Sequence, residues 1–283
     1  MLTATHMSTK GPVRLRRGLA VGALTLYAAL WLHGDSGRSP SFRIYPAVAS
    51  PRVMLWAWEE PEDLRGLDPY HAGVAFLAER LFLGDTVRRA PRRQPILTPK
   101  DIYAVAVVRI EVGKGFIDSK AIREQTAGAL LEDAKLPGVR GLQVDFDATA
   151  SQHSFYADIL KQVRSRLPAG QTLTITALVS WCAEEGTSPK DWLRQLPVDQ
   201  AIPMEFRLGK QTGNWAIREP LCQSTLGIAT DEPLRTSAQT QLTSAGLAAK
   251  TLYIFSPRPW TPSQLSILNS GNFMRYLNGG NQE

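Results

Sequence analysis

The residues of this sequence best suited to chemistry stand together in the short stretch Gly141-Leu142-Gln143-Val144-Asp145-Phe146-Asp147. If it is a strand, its two-residue period sends Leu142, Val144 and Phe146 to one face and Gln143, Asp145 and Asp147 to the other. Same-face neighbours on a strand lie roughly 6.5–7 Å apart at Cα. Two carboxylates that close, in apolar surroundings, couple their titrations. The pair is expected to hold one proton near neutral pH, which supplies a general acid. The run Tyr103–Val112 offers Arg109 and Glu111 on one face, alternating with Val108, Ile110 and Val112. A salt bridge from these residues to Asp145 is their purely structural role.

A third group follows Ala201. Met204 and Phe206 share one face, Glu205 and Arg207 the other, and the pattern alone leaves open which face turns inward, with Met204 and Phe206 the default. Trp56, Trp58, Trp181 and Trp260 fall near the ends of predicted strands, where aromatic faces can stack on sugar rings or simply pack core. Only His71 and His153 lie in the body of the chain, neither with ligand spacing around it, so no metal or other cofactor is expected. His153 reads as an exposed residue at the start of a helix.

Eight runs rich in β-branched and aromatic residues could position these side chains: Val53–Trp58, an irregular Asp85–Leu97, Tyr103–Val112, Gly141–Ala148, Leu173–Trp181, Ala201–Leu208, Gln223–Ala229 and Thr251–Ser256. Between most of them lie segments of helical period: His71–Leu83, Ser119–Ala134, Ser151–Leu167, Pro189–Gln195, Pro233–Ala245 and Pro262–Leu277. Ser151 is expected to cap one helix, and Thr261 with Pro262 another. Alternating strands and helices predict a parallel sheet, and eight strands predict its closure into a (β/α)8 TIM-type barrel. The second unit is the irregular one. Only Thr98–Ile102 joins strands two and three, so these two are expected to pair as a hairpin. An open doubly wound sheet would need a glycine-rich first turn, and Trp58-Glu59-Glu60-Pro61 does not supply one.

With 283 residues and 43% hydrophobic composition, the chain can bury one large core and has no room for a second full domain. Lys10, Arg14, Arg16 and Arg17 precede an apolar stretch, Gly18–Leu32, giving residues 1–33 the look of an export signal or uncleaved anchor. Residues 34–51, rich in Ser, Pro and Gly, read as a linker, and 52–283 as the barrel. The expected location is periplasmic or otherwise extracytoplasmic, secreted or tethered to the inner membrane. There Cys182 and Cys222 could form a disulfide or remain as buried thiols. The formal net charge is +6, but its clusters lie in the N-terminal segment and in the run Arg88, Arg89, Arg92, Arg93. No aromatic residue interleaves that run, which argues against nucleic acid. It fits a solvated strand edge, or a site for anionic glycan or phospholipid headgroups.

The stretch ending at Asp147 resembles the fourth strand of family-18-type chitinases, whose pattern is D-x-x-D-x-D-x-E. Asp147 matches the last position, Asp145 the Asp before it, Gln143 the middle Asp and Arg140 the first. Met204 and Phe206 look like that family's Met-x-Tyr, and Trp260 like its tryptophan after strand eight. The resemblance implies a glycoside-hydrolase-like barrel with Asp147 as general acid and Asp145 orienting the substrate. Asp147 is one methylene shorter than the family's Glu, two acids are replaced, and Phe206 lacks the hydroxyl. Over nearly the whole body, the phrases RRQPIL, VAVVRIEV, GLQVDFDA, TALVSWC, IPMEFRLG and GIATDEP more closely resemble a bacterial family catalogued as a domain of unknown function, which implies the barrel and leaves the activity unnamed. Two functions follow. One is hydrolysis of an envelope or secreted polysaccharide, with Glu111 or Glu205 as second carboxylate if its carboxyl stands about 5–5.5 Å from Asp147, and with Gln143, Arg109, Trp58, Trp181, Met204, Glu205, Arg207 and Trp260 binding substrate. The other is a catalytically inactive carbohydrate-binding or scaffold barrel.

Overall fold

The computed structural model of the protein describes residues 51–183, 191–209, 215–244 and 250–271. The N-terminal segment and almost all of the linker lie outside the described residues, as do parts of the helices expected at 189–195 and 262–277. Among the described residues no helix is long and apolar enough to cross a membrane.

Eight parallel strands close on themselves. They are β1 (Val53–Ala57), β2 (Ala72–Leu83), β3 (Tyr103–Val112), β4 (Val139–Asp145), β5 (Thr172–Leu178), β6 (Gln200–Met204), β7 (Thr225–Ala229) and β8 (Thr251–Phe255). Each pairs with the next, and β1 closes the ring by pairing with both β2 and β8: Val53 stands opposite Ala72 on one side and Leu252 on the other. A (β/α)8-type barrel is therefore the fold.

The strands carry apolar residues on both faces because both faces are covered. Met54, Trp56, Val105, Val107, Ile202 and Tyr253 fill the interior. The outward set, including Leu142, Val144 and Phe146, packs under the helices. Gly227 belongs to this fit, since a Cβ there would come 2.9 Å from the Trp56 ring and 3.1 Å from the Pro203 carbonyl.

The second unit departs from expectation. His71–Leu83 is not a helix: Ala72–Leu83 is strand β2, paired in parallel with β3 from Gly73 opposite Tyr103 to Leu83 opposite Val112. Apolar residues stand at nearly every position of this segment, so helical and strand periods fit it equally; burial on both faces decides for the strand. The irregular run Asp85–Leu97 divides into a returning strand, Val87–Pro91, antiparallel to β2, and Ile96–Leu97. The hairpin thus joins β2 to Val87–Pro91, not barrel strand two to strand three. Because β1 ends where Ala57 meets Phe76, residues 77–83 rise above it with their hairpin partner as a wall on one side of the mouth. Glu62–Asp63 pairs with Ile96–Leu97. Leu64 and Leu67, just after it, cover the outside of β1 and β8, where a regular unit would place a helix.

Helices α1 (Lys120–Asp133), α2 (His153–Arg164), α3 (Val179–Cys182), α4 (Asp191–Arg194), α5 (Thr236–Ser244) and α6 (Pro262–Asn269) supply the rest of the outer layer. The Ser119 hydroxyl caps α1 by accepting from the Ile122 amide. Ser151 does not cap α2. A 3-10 turn, Ala150–Gln152, precedes that helix, and Thr149 with Gln152 forms a capping box on it. Thr261 and Gln264 form the equivalent box on α6, with Pro262 in its first turn. Cys182 and Cys222 are joined by a disulfide with their Cα atoms 5.9 Å apart, linking α3 to the turn before β7.

The hairpin is tied to α1 by buried charges. Glu79 accepts from Arg89 at 2.9 Å, Arg89 also pairs with Glu132, and Asp133 lies against Glu79. Burial and the Glu79 charge push the Asp133 carboxyl up to about 7. A carboxyl raised on folding binds more protons in the native than in the unfolded chain between its two pKa values, so stability declines as pH climbs from about 4 to about 7. Asp133→Asn is expected to flatten that decline and to melt above the wild type at pH 8, read by thermal unfolding across pH 4–8. Reducing the Cys182–Cys222 bond, which closes a loop between residues 40 apart, is expected to cost about 2–4 kcal/mol in denaturant unfolding.

Candidate active site at the barrel mouth

Polar side chains climb the inner face of β4. Gln143 is fully buried; its Oε1 accepts from the Trp56 indole at 2.7 Å and its Nε2 donates to the Thr174 hydroxyl at 3.3 Å. One step higher, Asp145 is 2% exposed. Its two oxygens accept from Arg109 Nη1 at 2.6 Å and from the Thr176 hydroxyl at 2.7 Å. The cation and the hydroxyl make this burial tolerable, since a lone carboxylate in such a lining would be strongly unfavourable.

Asp147, at the top, has a half-exposed side chain. The guanidinium of Arg109 that holds Asp145 also lies 3.8 Å from Asp147 through Nη2 and 3.6 Å from Glu111 through Nε. Three carboxylates, on β3, on β4 and just past the end of β4, therefore surround one cation. Partial burial raises the Asp147 carboxyl above its ordinary value, the Asp145 charge raises it further, and Arg109 opposes both.

Two cavities meet here. The first, about 170 Å³, has aromatic walls in Trp56, Trp58, Phe206 and Phe255, and polar groups in Arg109, Asp145, Thr176 and Arg207. Phe206 and Phe255 stack with centroids 5.6 Å apart, and Trp58 meets Phe255 edge-on. The second, about 620 Å³, shares Trp58 and Arg109 with the first and adds Asp147, Glu111, Arg80, Thr149 and Gln152. Among the described residues no group of His, Cys, Asp and Glu is arranged to hold a metal ion.

The structure thus brings Gln143, Asp145, Asp147, Arg109, Glu111, Trp58, Met204 and Arg207 to the mouth or directly beneath it. Trp56 lies deeper, inside the barrel. Other expected site residues are elsewhere. Glu205 turns outward and accepts from Ser237 of α5. Arg207 nevertheless reaches the mouth, because β6 ends at Met204 and the chain twists into a left-handed conformation at Arg207, φ 57°, where Asp231 and Glu232 hold the guanidinium. Such backbone strain in a non-glycine residue is often found at functional sites. Trp260 is buried in the outer layer with Leu64 and Leu265, its amide donating to Glu62 at 3.0 Å. Trp181 packs edge-on to Trp192 on the helix side, and His153, instead of being exposed, stacks on Trp192 at 3.7 Å. Thr176, Phe255 and Arg80 were not expected. The first two were legible, since Thr172, Thr174 and Thr176 alternate with Leu173 and Ile175, and Tyr253 and Phe255 with Leu252 and Ile254. Arg80 was hidden by the misread helix.

Residues 101–196 match the model of a family described as a domain of unknown function, DUF3142. No curated protein matches the chain. Among solved structures, the crystal structure of the Bacillus cereus spore cortex-lytic enzyme SleL is similar at TM-score 0.49 and 12% sequence identity, over 81% of this chain and 76% of that one.

Because Arg109 neutralises a carboxylate whose side chain is only 3% exposed, Arg109→Met is expected to destabilise the protein by about 2–3 kcal/mol, less than for a fully buried pair since the guanidinium is a third exposed. Adding Asp145→Asn should recover part of the loss, and urea unfolding of the double-mutant cycle measures it.

Proposed function

We propose that this barrel is a glycoside-hydrolase-like protein acting on an envelope or secreted polysaccharide, with Asp147 as general acid. The observation that carries the reading is the place of Asp147: half exposed in the second cavity, which shares Trp58 and Arg109 with the aromatic-walled first, with its carboxyl raised by burial and by Asp145. A sugar ring stacked on Trp58 would share its cavity with that carboxyl. Glu111 is the second carboxylate, since it lines the same cavity and is tied to the same guanidinium, while Glu205 faces the helices. Asp145 orients the sugar through Arg109, and Met204 and Phe206 line the cavity that receives it. The disulfide suits an oxidising compartment. In this reading the apolar segment at 18–32 carries the barrel across the inner membrane or holds it there.

One observation favours the second reading, a sugar-binding barrel without turnover. Both oxygens of Asp145 are satisfied inside the protein, and the nearest cation to Asp147 is already shared with it.

Incubation with chitin, peptidoglycan and exopolysaccharide fragments separates the two. A hydrolase releases new reducing ends, and Asp147→Asn lowers the rate by about 10²-fold or more. Fragments retained on the protein without release point to binding alone. For a hydrolase, the rate falls as pH rises through the Asp147 pKa, because the acid form is lost. Asp145→Asn removes a charge that raises that pKa, so the descending limb of the pH–rate profile is expected to move to lower pH.

A further inference from the structure

The open face of the β2 hairpin is strongly basic, and the mechanism above leaves it unused. Along β2, Leu81 and Leu83 turn to the core under α1, which leaves Arg80 and Phe82 on the other face. The returning strand sets Arg88 opposite Phe82, with the guanidinium 3.9 Å from the ring centroid. A third cavity, about 350 Å³, lies on this face, where Arg80, Arg88, Arg92 and Arg93 outnumber a single carboxylate, Glu59. Glu59 is paired with Arg80 at 2.7 Å. Arg92 is held by backbone carbonyls, at 2.9 Å from that of Gln94 and 3.4 Å from that of Ala57. Arg88 and Arg93 have no ion-pair partner among the described residues.

The three cavities form a series. Trp58 and Arg109 are common to the first and second, and Arg80 is common to the second and third. The cavities are therefore neighbours, and a chain lying along all three would make a track from the aromatic mouth, past Asp147 and over Arg80, to Arg88 and Arg93.

We propose that this track binds an anionic polysaccharide, its carboxylate or phosphate groups held by Arg88 and Arg93 while a neighbouring sugar unit occupies the mouth at Trp58 and Asp147. The inference rests on the mouth being a sugar site and names the class of its substrate. Guanidinium forks match the planar carboxylate and the phosphate in two-point hydrogen bonds. Phe82 beneath Arg88 fixes one fork before any ligand arrives, which lowers the ordering cost of binding. Nucleic acid suits the third cavity poorly: its one aromatic ring is covered by Arg88, so it offers no free face on which a base could stack.

The test is calorimetric titration of the full chain at low ionic strength with four probes: a galacturonate hexamer, a phosphorylated mannopentaose, an N-acetylglucosamine hexamer and a single-stranded oligonucleotide. At least one anionic glycan is expected to bind about tenfold more tightly than the neutral hexamer, with the preference shrinking as salt is added and lost in R88Q/R93Q. Whichever anionic glycan is preferred identifies the group as carboxylate or phosphate. K120Q, which removes an exposed cation of α1 that lines none of the three cavities, should keep the preference. Equal binding of neutral and anionic glycans overturns the inference and leaves the sugar site standing. Binding of no glycan removes both. An oligonucleotide bound as tightly as the better anionic glycan overturns the inference in favour of an unselective polyanion surface. If R88Q/R93Q melts early, the single variants R88Q and R93Q decide: each is expected to weaken the preference, and a preference undiminished in both overturns the inference.

Discussion

The ion pair between Arg109 and Asp145 is the interaction on which the mouth depends. A carboxylate at that depth has to be neutralised by a neighbouring strand, and β3 supplies the cation in register, with Arg109 opposite Asp145. Once the guanidinium is fixed there, its remaining nitrogens face Asp147 and Glu111. The charges of the rim are thus placed by the needs of a residue below it. Beneath them, Trp56, Gln143 and Thr174 complete one another's hydrogen bonds, so the polar column adds no unpaired group to the barrel interior.

The barrel is lopsided, and the shape of its mouth follows from that. On the side of β3 to β5, helices α1 and α2 cover the strands in the regular way. On the side of β1 and β2, a two-residue ladder and a hairpin take the place of helices. The strand that rises into the hairpin exposes one face to solvent beside the mouth, and this is where the second and third cavities lie. A regular βα unit would have ended the strand at the rim and left the mouth without a wall.

What could be read from the sequence divides along the same line. The column Gln143, Asp145, Asp147 was legible because polar and apolar residues alternate strictly there, as they do through Arg109 and Glu111. Ala72–Leu83 was not, because a strand buried on both faces loses its alternation and, at twelve residues, has the length of a helix. With it went the hairpin and Arg80. Glu205 and Arg207 were assigned to one face by a period that the chain abandons after Met204. Trp260 follows the last strand closely enough to suggest the mouth, yet Glu62, on the small ladder that replaces a helix, anchors its backbone in the outer layer. Local alternation is written in the side chains themselves; the faces of a loop depend on what the fold later packs against it.

The closure of the ring has a consequence for how the molecule comes to exist. Val53, in the first strand, has Leu252, in the last, as one of its two neighbours, so nearly two hundred residues must be in place before the first strand is fully paired. Until then the growing chain is an open sheet with bare edges, able to join the wrong partner. A protein of this topology assembles late, and its yield in a cell would depend as much on what shields the unfinished sheet as on the stability of the finished barrel.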